Sequence, residues 1–134
     1  MYTEMDIWNL FFSALLANAA YFIGIAFLIW VSFRAANQVG GSDNMINKIL
    51  VSIFCLFIVL NMNGNDAMGE WIANSTAQGF VALEASGTAI SQNAQNFVAG
   101  FEPGKEYNIV PGPLQAIFML TVLLMQMLSI WKKS

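Results

Sequence analysis

Residues 7–33 read IWNLFFSALLANAAYFIGIAFLIWVSF, and this stretch decides the fold. Its 27 residues include no Asp, Glu, Lys or Arg. A helix rises about 1.5 Å per residue, so a helix of this length exceeds the roughly 30 Å hydrocarbon core of a bilayer. The stretch therefore predicts a transmembrane helix, which we expect to extend over about 7–38.

The composition of the whole chain supports the same interpretation. Of its 134 residues, 57% are hydrophobic and 10% are charged. A soluble domain carries about 25% charged residues, so this chain has too little polar surface to cover a water-soluble globule. We expect a single membrane domain, with no room for a second domain.

Two further apolar stretches predict two more crossings. The second span covers about 45–62, and the third covers about 114–131, where Pro113 suits the first turn of a helix. Between them lies a hydrophilic insert, residues 63–113. The expected fold is an all-α integral membrane protein with three transmembrane helices and a long extracytoplasmic helical insert between the second and third.

The basic residues predict the orientation. Arg34 and Lys48 lie near the ends of the first two spans, on either side of the loop that joins them, and Lys132 and Lys133 follow the third, whereas the insert has only Lys105. Cytoplasmic loops collect Lys and Arg. Three crossings place those four residues on one side, so we expect the amino terminus outside and the carboxyl terminus in the cytoplasm. The expected location is a bacterial inner (plasma) membrane.

The insert shows the pattern of an amphipathic helix. Apolar residues recur at alternating spacings of three and four, and polar amides fall on the other side. One alternative is a single helix over 67–101 with Asp66 as its amino-terminal cap; the other is two shorter helices that break at 86–88. The members of this pattern that we call the apolar seam are Phe80, Leu83, Ile90, Phe97 and Phe101.

The apolar seam needs a covering surface. Three surfaces are available: the outer ends of the chain's own spans, the membrane surface, or a neighbouring subunit. An acidic segment binds anionic lipid headgroups poorly, which favours contact with protein.

The first span also presents a face of small residues. Ser13, Ala17, Ala20 and Gly24 recur at spacings of four, three and four, which places them on one side of a helix. Small residues at this spacing let a second helix approach closely, so we expect a helix-packing face. Asn18 lies mid-membrane, where an unpaired amide is costly, and we expect it to face protein rather than lipid.

Metal-binding or cofactor chemistry has little support. The chain has no histidine and one cysteine. Asp66 and Glu70 would face the same way on a helix and are weak candidates for a hard cation, which needs six or more ligands. The alternative is a solvated helix start. Met62 and Met68 lack the imidazole or thiolate that a copper site would add. We expect no cofactor.

The leading functional hypothesis is assembly. The sequence contains no nucleophile–base pair or phosphate-binding glycine loop, so we do not expect an enzyme. A net charge of −3 argues against a nucleic-acid partner. In architecture the chain is similar to small auxiliary subunits of membrane enzyme complexes. We expect a non-catalytic membrane protein, either an auxiliary subunit or a homo-oligomer protomer, whose partners are the lipid bilayer and other membrane subunits or copies of itself.

Two other functions are considered. Several copies would form a pore if Asn18, Gln115 and Gln126 faced a common lumen. The third hypothesis is a metal-binding or enzymatic subunit that uses Asp66 and Glu70.

Overall fold

The structure, a computed structural model, describes residues 2–133, and all regular secondary structure in this range is helical. There are four helices. The all-helical prediction is confirmed for this range, and three of the helices are long and apolar enough to cross a membrane. In chain order the helices are α1 (Glu4–Val39), α2 (Met45–Ala85), α3 (Gln92–Gly100) and α4 (Pro113–Trp131).

Helix α2 is much longer than the sequence predicts. It begins at Met45, where the Asn44 side chain accepts the backbone N–H of Asn47 at 3.1 Å as an amino-terminal cap. The helix does not end with the predicted span at residue 62, because α2 continues to Ala85 over 41 residues. At about 1.5 Å per residue it is about 61 Å long, twice the hydrocarbon core of a bilayer.

The helix continues because its polar stretch still has a packed face. Met62 and Asn63 are buried, and the Asn63 side-chain amide donates a hydrogen bond to the carbonyl of Ile109 at 2.7 Å. The three glycines of α2 beyond residue 62 cost a helix about 1 kcal/mol each. The expectation that Asp66 caps a new helix is therefore wrong, since Asp66 lies inside α2.

The single helix over 67–101 is also wrong, and the break lies where the second alternative placed it. Gly87 adopts a φ of +94°, the left-handed conformation that favours glycine. Its N–H bonds to the carbonyl of Glu84 at 3.0 Å, and the N–H of Thr88 bonds to the carbonyl of Leu83 at 3.3 Å. This is the Schellman pattern that ends a helix.

The chain forms two compact units. Unit 1 comprises Met1–Ala20 and Asp66–Asn108, and unit 2 comprises Tyr21–Asn65 and Ile109–Ser134. Each unit has its own core.

Unit 2 is a set of three helical segments of similar length. They are α4, with 19 residues, residues 21–39 of α1 and residues 45–65 of α2. At about 1.5 Å per residue each segment is about 30 Å long, which matches the hydrocarbon core of a bilayer. A buried cluster of Ala36, Cys55 and Ile130 joins the three segments, and Val39, Val51 and Met127 pack against it.

Local features of the sequence explain where the unit 2 helices begin and end. Pro113 occupies the first turn of α4, where its missing N–H is tolerated. Gly41 has a φ of +77° just after α1 ends. Gly40 is in close contact with α4, because a Cβ at this position would run into the carbonyl oxygen of Ser129.

Unit 1 is built from the amino-terminal part of α1, the carboxyl-terminal part of α2, and α3. Its core consists of Phe80, Leu83, Ile90 and Ala94, packed against Ile7, Trp8, Phe97 and Val98. The apolar seam is therefore covered by α1 of the same chain. A lone copy does not leave the seam exposed, apart from Phe101, which is 41% exposed and packs on Phe97 at 4.7 Å between ring centroids.

Candidate interaction site

The small-residue face of α1 is not used within the chain. Ser13, Ala17, Ala20 and Gly24 are all exposed. A Cβ at Gly24 would meet no atom within 4 Å. The buried residues of α1 are Ile25, Ser32 and Ala36, which lie on a different side of the helix. The face is therefore open to a helix from another chain.

Asn18 lies against α2 rather than on the open face. It is half-buried, and its Nδ2 is 3.2 Å from the position that a Cβ at Gly69 would occupy. The absence of a side chain at Gly69 makes room for this amide. Asn18 thus faces protein, as the cost of an unpaired amide predicts.

A carboxylate of α1 binds the start of α3. Glu4 Oε1 accepts hydrogen bonds from Ser91 Oγ at 2.6 Å and from Trp8 Nε1 at 3.1 Å, and Glu4 Oε2 accepts the N–H of Ser91 at 2.8 Å. Ser91 Oγ also accepts the N–H of Ala94 at 3.2 Å as the cap of α3. The hydrogen bonds from Ser91 hold the pKa of the Glu4 carboxyl below its ordinary value.

Aromatic rings hold α3 in place beneath this carboxylate. The ring of Trp8 lies 4.8 Å from that of Phe80 and 5.3 Å from that of Phe97, and Phe11 lies 5.1 Å from Phe97. Tilted and edge-to-face pairs at these distances add about 0.5–1.5 kcal/mol each beyond area burial. Phe80 and Phe97 belong to the predicted apolar seam, whereas no local pattern in the sequence marks Trp8 and Glu4 as the residues that hold α3.

The weak metal candidates Asp66 and Glu70 are not joined by a third His, Cys, Asp or Glu side chain in the described part of the chain. Glu70 pairs with Lys105 at 3.3 Å, and Lys105 also pairs with Glu102 at 2.6 Å. Hydrogen bonds to Glu102 and then to Glu70 raise the pKa of Lys105. Within residues 2–133, no three His, Cys, Asp or Glu side chains lie together in a way that could hold a metal ion.

The polar residues proposed for a pore lumen have different positions. Gln126 is fully buried in unit 2, where its Nε2 donates a hydrogen bond to Ser32 Oγ at 2.7 Å. Ser32 Oγ in turn donates to the carbonyl of Ile29 at 2.6 Å. Gln115 is half-buried. Gln126 therefore joins α4 to α1 and does not lie on an outward surface.

Unit 1 also carries an open groove between α1 and α2. One end has a volume of about 440 Å³ and the other about 280 Å³, and both ends share Ile7 and Gly79. Most of the remaining lining is apolar, and it includes the aromatic side chains of Phe11 and Trp71. This groove and the small-residue face are the two surfaces of the described chain that we consider for partner binding.

In comparisons with known proteins, no family model, no curated protein and no solved structure matches this chain. The geometry of the chain itself defines its class, an all-helical protein with three helices that are long and apolar enough to cross a membrane.

Proposed function

We propose that this chain is a non-catalytic integral membrane protein that acts through assembly, either as an auxiliary subunit of a membrane complex or as a homo-oligomer protomer. The observation that carries this proposal is the exposed apolar surface of α1. Of its 36 residues, three are buried. Leu10, Phe12 and Leu16 are 62%, 58% and 73% exposed.

Lipid alone covers this surface poorly. The charge-free stretch of α1 has 27 residues, so it is about 40 Å long at about 1.5 Å per residue. To fit a core of about 30 Å the helix would have to tilt by about 40°, the upper end of the range for membrane helices. Without such a tilt, apolar side chains extend beyond the hydrocarbon, and large exposed apolar patches mark interaction sites.

The small-residue face provides the place where a partner helix fits. Ser13, Ala17, Ala20 and Gly24 are exposed, and the space at Gly24 is open. Association in membranes depends on close packing, because lipid tails are as apolar as the side chains. Small side chains allow that packing.

The orientation proposed above has support from paired aromatic and basic side chains. The guanidinium of Arg34 lies 5.1 Å from the ring centre of Trp30, and the ammonium of Lys48 lies 5.8 Å from that of Trp131. Trp rings favour the membrane–water interface, and Lys and Arg favour its cytoplasmic side. We therefore infer that the ends of α1 and α4 near these residues face the cytoplasm of a bacterium.

The test measures the mass of the particles in mild detergent or nanodiscs. We expect complexes larger than one chain. Ala20→Leu, on the small-residue face, should release single chains, whereas Ala19→Leu should not. Ala19 is the matched control because it is exposed on another side of α1. Single chains from the unmodified protein extracted gently from its own membrane would refute the proposal.

A further inference from the structure

The groove of unit 1 is on a different side of the helix pair from α3. Helix α3 packs over Phe80 and Leu83 of α2. The groove shares Leu83 and Ile7 with that core and otherwise follows Ser75, Gly79 and Ala82, which lie on an adjoining face of α2. Helix α3 thus covers one face of the α1–α2 pair, and the groove on the adjoining face is open.

The shape of the groove suits an apolar segment. Its larger end, at about 440 Å³, lies within the range of about 300–1,000 Å³ that is typical of binding pockets. The lack of a side chain at Gly79 leaves the groove open. A Cβ there would only touch Ile7, at 3.6 Å, so a longer side chain would extend into the groove. Trp71 stands at the groove with 41% of its surface exposed, and aromatic anchors of this kind dominate binding energy.

The net charge of unit 1 favours some occupants of the groove over others. Its residues include seven Asp and Glu side chains against one basic side chain, Lys105, which gives a net charge of −6. A second copy of unit 1 would carry the same net negative charge and would be repelled, as would anionic lipid headgroups. A partner with basic side chains would be attracted.

One of these carboxylates lies next to the groove. Asp6 lines a hollow that includes Tyr2 and Leu10, residues that also line the two ends of the groove. The backbone N–H and hydroxyl of Thr3 donate to Asp6 Oδ2 at 2.8 Å and 2.9 Å. These bonds, the backbone bond first, lower the pKa of Asp6, and the carboxylate is charged at neutral pH.

We propose that this groove docks an apolar segment, flanked by Lys or Arg, from a different protein of the same assembly. The inference rests on the proposed function and identifies the chemistry of the partner. The apolar part of the segment fills the space over Gly79, and its basic flank lies beside Asp6.

The test places a photo-crosslinking side chain at Ser75, which is exposed in the groove. The full chain is irradiated in its native membranes, and the attached peptide is sequenced by mass spectrometry. We expect an apolar peptide with flanking Lys or Arg from a second protein. Gly79→Leu should lower the yield about tenfold by filling the groove, and Asp6→Lys should also lower it. Gly100→Leu should not, because a Cβ there meets nothing within 4 Å.

Three results of the crosslinking experiment would overturn the inference. They are attachment to a second copy, attachment to lipid alone, and attachment to a peptide without basic flanks. Particles larger than one chain that give no adduct at Ser75 would overturn the docking site and leave the proposed function standing. Single-chain particles would refute both. Helical content measured by circular dichroism shows whether the Gly79→Leu chain is folded.

Discussion

Gln126 of α4 donates a hydrogen bond from Nε2 to Ser32 Oγ of α1 at 2.7 Å, inside a fully buried part of unit 2. The Oε1 of the same amide accepts no hydrogen bond from residues 2–133. Half of the Gln126 amide is therefore paired, and the pairing depends on one hydroxyl. Buried amides of this kind fix which helices meet, because any other neighbour would leave both polar atoms unpaired.

Ser32→Ala should destabilise the three helices of unit 2. The substitution leaves Gln126 Nε2 without its acceptor, and a buried unsatisfied donor costs about 1–3 kcal/mol, with membrane values toward the low end. The double variant Ser32→Ala/Gln126→Leu removes both partners and should recover most of the loss. Thermal unfolding in one detergent measures all three chains. Equal stability of Ser32→Ala and the unmodified chain would contradict this account.

Acid should loosen α3. The pKa of Glu4 lies below its ordinary value of 4.5 because Ser91 and Trp8 donate to it. A group with a lowered pKa stabilises the fold above its unfolded pKa, and that contribution is lost as the pH falls through the folded value. Proteolysis near α3 should therefore be slow at neutral pH and accelerate below about pH 4.5.

Glu4→Gln provides the control for that pH dependence. The neutral amide still accepts from Ser91 but does not titrate, so α3 should be cut faster at neutral pH, with a weaker acceleration in acid. Glu84→Gln, at an exposed position of α2, should retain the pH dependence of the unmodified chain. An unchanged pH profile in Glu4→Gln would show that another group is responsible.

The parts of the fold that local chemistry determines could be predicted from the sequence. The 27 charge-free residues define most of α1, and Pro113 marks the start of α4. The length of α2 could not be predicted, because its polar stretch remains helical through tertiary contacts such as that of Asn63 with the Ile109 carbonyl.

The contacts that cover the apolar seam could not be predicted from the sequence either. Glu4 and Ser91 are separated by 87 positions in the chain, and no local pattern relates them. The sequence could identify Phe80 and Phe97 as residues in need of cover, but α1 has the length and hydropathy of a membrane-spanning helix. Only the three-dimensional contacts show that Trp8 of α1 provides the cover.

Gly40→Ala should destabilise unit 2. A Cβ at this position would run into the backbone carbonyl oxygen of Ser129 and would lie 2.7 Å from Lys132 Cε. The lysine can move, but the carbonyl belongs to α4, so the two backbones must separate. Overpacking of this kind costs about 1–3 kcal/mol.

Gly24→Ala is the matched control for Gly40→Ala. Its Cβ would meet nothing within 4 Å, and replacing glycine inside a helix gains about 0.5–1 kcal/mol. Melting in detergent should therefore shift downward for Gly40→Ala and slightly upward for Gly24→Ala. A downward shift of the same size in both chains would mean that α1 and α4 do not approach each other at Gly40.

Phe97→Ala tests whether the apolar seam is covered by the chain itself. The Phe97 ring contacts Trp8 at 5.3 Å and Phe80 at 5.9 Å between centroids. Removing a large buried aromatic side chain costs about 3–5 kcal/mol, and for a half-buried ring we expect about 2–3 kcal/mol. Phe101→Ala, at a position that is 41% exposed, should cost less than about 1 kcal/mol. Hydrogen exchange of the α3 amides in single chains in detergent measures both. No partner is present in that experiment. If the α3 amides are strongly protected in the unmodified chain and lose that protection in Phe97→Ala, α1 must cover the apolar seam. If they exchange at the unprotected rate in both chains, the cover must come from a second chain.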